Sequence, residues 1–328
     1  MAGPEAMDYA SLVPAQGTDG AVRKVGVEIE FGGLGETHVA RIVVDVLGGE
    51  IDHTGPHEYR VRGTSIGGIK VLLDTALRDK ADNPVAEWGL NVSRAVVPVE
   101  IVTEPLDPAD LPQLDTLLAR LRGAGALGTK DGMLLGFGTH LNPSLAGEDA
   151  GHILPTLRAF ALLEDWLREA EPIDASRRVL PFVDPYPRRL VDALAEEAAA
   201  DWTLDRMIAA YLGLAPSRNH ALDLLPVLRH LDEDRVVAAL GSDAQSVSGR
   251  PAFHYRLPDS RIDEEGWSLA PTWNRWCLIE RVAADHGFVA DLAAAFCAHR
   301  ASLTTLRGDW ARQSGEMLTG WRARTEAA

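Results

Sequence analysis

Apolar and polar residues alternate with a period of two through much of the first half of the chain. Val25, Val27, Ile29 and Phe31 alternate with Lys24, Gly26, Glu28 and Glu30, which predicts a strand with one buried face. Similar patterns predict strands at His57–Arg62, Ile69–Leu73, Val96–Thr103 and Met133–Asn142, and another at Ala252–Leu257 far downstream. Two helical stretches interrupt them. One runs from about Thr37 to Leu47 and is stopped by Gly48-Gly49; the other runs from about Pro108 to Leu121 and ends near Gly123. Short glycine-containing turns between the strands predict a largely antiparallel sheet with helices on one side. From Gly151 to about Leu240 the chain is helical, with breaks at Pro172, at Pro181–Pro187 and at Leu214-Ala-Pro216, and it is helical again from Trp267. The reading is an α+β fold with a loose tail over residues 1–20. A catalytic unit spans 21–328, with a helical insertion at about 151–240 and a helical C-terminal part at about 266–320.

The chemistry is on the polar sides of these strands. Glu28 and Glu30 share one face of the first. Glu100 and Glu104 lie opposite Val97, Val99, Ile101 and Thr103. Gly136, Gly138, His140 and Asn142 lie opposite Leu135, Phe137 and Leu141, and His254 and Arg256 lie opposite Phe253, Tyr255 and Leu257. Carboxylates held so close repel each other, and a divalent cation with oxygen ligands is the usual remedy. The two glycines leading to His140 leave room for a ligand to approach the backbone. Taken singly, these patterns also fit an acidic edge strand, a hydrogen-bonded structural histidine or a solvated arginine. Brought onto one sheet face, the same groups would hold hard cations and bind phosphate oxygens.

Composition removes several classes. A net charge of −16 argues against a nucleic-acid backbone as the main partner. Two cysteines, Cys277 and Cys297, support neither a disulfide framework nor a cysteine-based zinc site. The first residues lack the basic and apolar regions of a secretory signal, and no apolar run reaches the ~18 residues of a membrane span, so a cytoplasmic location is expected. Gly63-Thr-Ser65-Ile-Gly67 matches a hydrolase nucleophile elbow, but Tyr59-Arg-Val-Arg62 before it is polar and an alternating strand follows where a helix is needed. P-loop and dinucleotide fingerprints are missing from the sequence.

Four motifs in order resemble the amidoligase family, which belongs with carboxylate–amine ligases of the glutamine synthetase and glutamate–cysteine ligase type. They are Gly26-Val-Glu28-Ile-Glu30-Phe, Glu100-Ile-Val-Thr-Glu-Pro105-Leu, Gly138-Thr-His140-Leu-Asn142 and Tyr255-Arg256-Leu-Pro. Ser217-Arg218-Asn219 followed by Leu224-Leu225-Pro226 is similar to a further segment of these proteins. The resemblance implies a curved antiparallel sheet with ATP and Mg²⁺ or Mn²⁺ on its concave face. It also implies an activity that joins a small-molecule or peptide carboxylate to an amine through an acyl phosphate. Carried over by position, Glu28, Glu30 and Glu100 become metal ligands and His140 a metal or phosphate contact. Asn142 stands where relatives have a histidine that meets the nucleotide, and Arg218 falls on the nucleotide side. Arg256 matches the arginine on the transferred phosphoryl group, so Arg256 and Glu30 carry catalysis.

His254 departs from the pattern, because relatives have a metal-binding glutamate there. Its imidazole suits Mn²⁺ better than Mg²⁺ and, at an ordinary pKa, would titrate in the working range. Asp74 is a candidate substrate-side carboxylate. Two alternatives stay open: a phosphotransferase of the guanidino-kinase fold group, and a non-catalytic relative that binds nucleotide or metal.

Overall fold

The computed structural model describes residues 7–73, 98–129, 136–171, 173–174, 177, 183–302 and 305–327. These form an open eight-stranded sheet and ten α-helices. The strands are β1 (Val25–Phe31), β2 (Glu50–Gly55), β3 (Glu58–Thr64), β4 (Gly67–Leu73), β5 (Val99–Thr103), β6 (Thr139–Pro143), β7 (Leu222–Asp223) and β8 (His254–Tyr255). Their order across the sheet is β2-β3-β4-β5-β1-β6-β8-β7, and every ladder is antiparallel. Consecutive hairpins build the β2–β4 end, whereas β1 lies between two strands from later in the chain. That placement puts the Glu28–Glu30 strand at the sheet's centre.

Helices cover the apolar face. Helix α1 (Glu36–Leu47) lays Val39, Ile42 and Val43 over β3 and β4, and packs beside α2 (Leu111–Gly123), which buries Leu114, Leu117, Leu118 and Leu121. The chain leaves α1 through Gly49, whose φ of 97° only glycine adopts readily; a Cβ there would meet the Arg62 carbonyl oxygen at 2.4 Å. Behind β8, Phe160 of α3 (Ala150–Ala170) and Trp276 of α8 (Ala270–Ala284) pack edgewise and tilted against Tyr255. The remaining helices are α4 (Arg188–Ala195), α5 (Leu204–Leu214), α6 (Leu225–Leu231), α7 (Glu233–Leu240), α9 (His286–Ala301) and α10 (Arg307–Glu326). Helices α8, α9 and α10 all pack on α3. No helix among the described residues is long and apolar enough to cross a membrane.

Several expectations change. The tail is not loose from residue 7 onward. Leu12 is buried, the Ala10 carbonyl accepts from Trp273 Nε1 at 2.7 Å, and Tyr9 donates to Asp115 at 2.6 Å. The anchoring partners are distant in sequence, so local pattern does not reveal them. Strand β2 is an additional element that alternation does not mark, because most of its residues are exposed and it sits at the sheet edge. The downstream strand contracts from Ala252–Leu257 to His254–Tyr255, with Ala252 making only an isolated bridge to Ser144. Gly63–Gly67 turns β3 into antiparallel β4, which rules out a strand-to-helix nucleophile elbow. Asp74, Val96, Val97, Met133–Leu135, Pro172 and Pro181 lie outside the described residues.

Candidate active site

Strand register brings the polar faces together. Glu30 pairs directly with Glu100, Glu28 with His140, and Gly26 with Asn142. Leu141 opposite Tyr255 sets Asn142 beside His254 and His140 beside Arg256. Directly opposed positions on one face put side chains about 4.5–5.5 Å apart at Cβ, close enough to share a ligand. Two groups result: Glu28, His140 and His254, and Glu30, Glu100 and His140. Within each, the available donor atoms lie within 4.8 Å of one another. His140 belongs to both. Carboxylate oxygens with imidazole nitrogens form a donor set that suits one or two divalent cations.

Hydrogen bonds lock this cluster. The Gly138 N–H donates to Glu30 Oε2 at 2.7 Å. Glu28 is the hub. Its Oε2 pairs with His140 Nδ1 at 3.0 Å, while its Oε1 accepts from Asn142 Nδ2 at 2.9 Å and Arg250 Nη1 at 3.3 Å. Burial works against ionising Glu28, but the His140 hydrogen bond, followed by the neighbouring His254, His140 and Arg250, outweighs it and holds the carboxyl well below its usual range. His254 moves the other way. Burial strips its charged form of solvent and lowers its pKa well below the ordinary histidine value, which overturns the expectation that it titrates in the working range. It is neutral at physiological pH and has a lone pair to offer.

The cluster opens into a cavity of ≈ 670 Å³ lined by Glu28, Glu30, Glu100, His140, His254, Arg177, Arg218, Arg250 and Arg256. Asn142 is not in the lining. Both ends of its buried amide are spent, Nδ2 on Glu28 and Oδ1 at 2.7 Å from His254 Nδ1. Arg256 is anchored by Nη1 to the Arg218 carbonyl at 2.7 Å. Glu104 leaves the site: it accepts from Arg60 and, at 2.9 Å, from the Gly68 N–H.

Three residues join the site without a sequence signal. Arg177 is almost fully buried, and its guanidinium donates to the carbonyls of Arg256, Leu257 and Pro258 and to Asp259 Oδ1 at 2.7 Å. It also fills the space beside the two glycines: a Cβ on Gly136 would meet Arg177 Cγ at 2.3 Å. That space serves an arginine rather than a ligand against bare backbone. Arg250 reaches back from the turn before β8. Asp223, opposite His254, is buried with Oδ2 lacking a hydrogen bond among the described residues, and burial pushes its pKa up to about 6. The signal that finds Asp223 and Arg250 is adjacency to His254, which appears only once β7 and β8 are paired.

No curated protein and no solved structure gives a significant match to the chain. One family model does, over residues 21–278, and its span runs from just before β1 through β8 into α8. That family is described as "Putative amidoligase enzyme". A match over most of the chain, containing every strand that carries the acidic and imidazole cluster, establishes that this chain belongs to the amidoligase family.

Proposed function

We propose that this protein is an ATP-dependent carboxylate–amine ligase that activates an acid as its acyl phosphate and passes the acyl group to an amine. Membership of the amidoligase family supports amide-bond formation. The observation that carries the finer reading is that two potential cation-binding groups and four arginines face one cavity. A site for phosphoryl transfer needs this combination, because catalysis there is mostly positioning and charge neutralisation. The cavity's ≈ 670 Å³ falls within the range of small-molecule sites. We extend the reading to the fold, which we take to be of the glutamine synthetase catalytic type, with its helices on the outer side.

A bound Mg²⁺ or Mn²⁺ supplies neutralisation of phosphate oxygens. Glu30 and Glu100 would hold one ion, and Glu28, His140 and His254 a second, since His140 has only Nε2 to give once its Nδ1 is bonded to Glu28. Arg256, steadied by the Arg218 carbonyl, grips oxygens of the transferred phosphoryl group with its flat guanidinium. Arg218 lies further out, half-exposed, and contacts the nucleotide. Buried Arg177 braces the Arg256 backbone and so holds that grip in place. The acid attacks the γ-phosphorus to give acyl phosphate and ADP, and the amine then displaces inorganic phosphate. No covalent protein nucleophile is required. We expect a cytoplasmic enzyme whose partners are its small-molecule or peptide carboxylate and amine, with neither nucleic acid nor membrane involved.

The test is to incubate purified protein with ATP, Mg²⁺ or Mn²⁺, and pooled carboxylates and amines, and to follow phosphate release alongside product mass. An adduct equal to acid plus amine minus water, appearing with ADP and phosphate in equal amounts, is the expected result. A stable phosphorylated product with no condensation would replace the ligase by a phosphotransferase. No metal-dependent ATP turnover in any mixture would leave a binding protein.

A further inference from the structure

Hydrogen-bond chemistry around Asn142 settles which nitrogen of His254 carries the proton. Asn142 donates its Nδ2 to Glu28 Oε1 at 2.9 Å, the carboxylate oxygen accepting. The other end, at 2.7 Å from His254 Nδ1, is therefore the carbonyl oxygen, and it too can only accept. His254 must then donate from Nδ1, leaving the lone pair on Nε2. Arg250 Nη2, at 3.2 Å from the same Nδ1, is consequently a charge neighbour and not a donor to it. The same logic applies to His140, whose Nδ1 donates to Glu28 Oε2 at 3.0 Å and leaves its lone pair on Nε2. One carboxylate thus sets both rings, His140 directly and His254 through an amide relay. The two rings meet edge-on with centroids 5.1 Å apart.

The geometry points to Asn142 as a positioning residue that fixes the His254 tautomer and makes the Glu28–His140–His254 position a nitrogen-rich cation site, selecting a borderline transition metal such as Mn²⁺ or Co²⁺ over Mg²⁺. Two presented imidazoles are good donors for those ions, whereas Mg²⁺ prefers oxygen and retains its water. Each ring is held by a hydrogen bond at Nδ1, which leaves Nε2 as the nitrogen to offer a cation, and protein metal sites usually orient their histidines through the other ring nitrogen. Asn142 stays out of the cavity, so this role needs no contact with nucleotide. The inference rests on the proposal that this cluster holds a cation, and on nothing about ATP or amide formation.

The experiment therefore uses metal-stripped full-length protein without ATP. Nitrogen NMR of the imidazoles should show His254 as a single neutral Nδ1–H tautomer in the wild type. Calorimetry with Co²⁺ and Mg²⁺ should show Co²⁺ bound at least tenfold tighter, with a visible spectrum of nitrogen ligation. In Asn142→Leu, the His254 signal should shift to the other tautomer or a mixture. Co²⁺ affinity should fall about 10- to 100-fold, the usual cost of losing an orienting partner, and Mg²⁺ affinity should move much less. Asn142→Ser, smaller and still polar, serves if the leucine variant does not fold, and the wild-type tautomer measurement needs no variant. An Nε2–H His254 in the wild type, equal affinity for the two ions, or Co²⁺ affinity unchanged by both variants would each overturn the proposal. Failure of the ligase assay with these results intact would refute the activity and leave the metal site standing.

Discussion

Glu30 and Glu100 stand directly opposite each other in the β1–β5 ladder, on the face that lines the cavity. Like charges facing across a ladder are destabilising, by roughly 0.2–1 kcal/mol for an ordinary pair. The Gly138 N–H on Glu30 Oε2 accommodates one carboxylate without cancelling the repulsion. Glu30→Gln keeps an oxygen for that N–H and removes the charge. In the presence of a chelator it should be as stable as the wild type or more so, by up to about 1 kcal/mol. The stabilisation that added Mn²⁺ gives the wild type should be largely lost, together with activity. Denaturant titrations with and without metal would decide, and clear destabilisation in chelator would make Glu30 a structural residue.

Arg256 sits across the ladder from His140 and is tied through Nη1 to the Arg218 carbonyl. Its fork can grip two oxygens while one nitrogen is anchored, which a lysine ammonium cannot do. Arg256→Lys should lower turnover by about 10²–10³, the scale of one preorganised transition-state contact, with a much smaller change in ATP binding. Turnover and nucleotide affinity measured side by side would test this. Equal losses in the two would identify an ordinary nucleotide anchor.

The residues that sequence placed well are those on strands with clean alternation. Val25–Phe31 fixes by its pleat which side Glu28 and Glu30 occupy, and β5 does the same for Glu100. Glu104 shows where that logic stops: it lies one residue beyond β5, where the chain turns it toward Arg60 and Gly68. Convergence of four strands on one face depends on pairing between segments about 70 to 114 residues apart, and only the family resemblance suggested it. Arg177, Arg250 and Asp223 were not legible. Arg250 comes from the loop before β8 and Asp223 from a two-residue strand, neither of which carries a period. His254 was found by pattern, yet its neutrality follows from complete burial, which the alternation of Phe253, His254 and Tyr255 does not express.

Glu164 on α3 gives the fold a pH dependence away from the site. It is 1% exposed, with Oε2 accepting from the Tyr186 N–H at 2.8 Å and Oε1 lacking a hydrogen bond among the described residues. Burial dominates over the Tyr186 N–H and nearby Arg168 and Arg307, and pushes its pKa from 4.5 up to about 7. A raised acid pKa means the folded state holds the proton that the unfolded chain has lost. Stability therefore falls as pH rises from about 4.5 to 7, by roughly 3 kcal/mol in all, and levels off above. Glu164→Gln removes that cost. It should be more stable than wild type at pH 8 by up to about 3 kcal/mol, and much closer to it at pH 5. The same difference at both pH values would show that Glu164 does not titrate in this window.

Arg23 and Glu280 form a buried two-bond ion pair, Nη2 to Oε1 at 2.7 Å and Nη1 to Oε2 at 2.9 Å, with side chains 3% and 2% exposed. Arg23 also donates to the Ser144 carbonyl just past β6 and to the Pro14 carbonyl, while Glu280 accepts from the Val13 N–H and Trp276 Nε1. The pair thereby ties the N-terminal segment, the start of β1 and helix α8 together. Arg23→Met keeps the volume but strands an anion with two neutral donors, which should cost about 3–5 kcal/mol. Adding Glu280→Leu removes that anion and should restore a large part of the loss, because a buried pair is worth little more than well-packed apolar groups. Denaturation of the two single variants and the double variant gives the coupling, and limited proteolysis within residues 7–22 should accelerate in Arg23→Met. A loss below about 1 kcal/mol in Arg23→Met, with cleavage unchanged, would mean that Trp273 and Leu12 hold the segment without the ion pair.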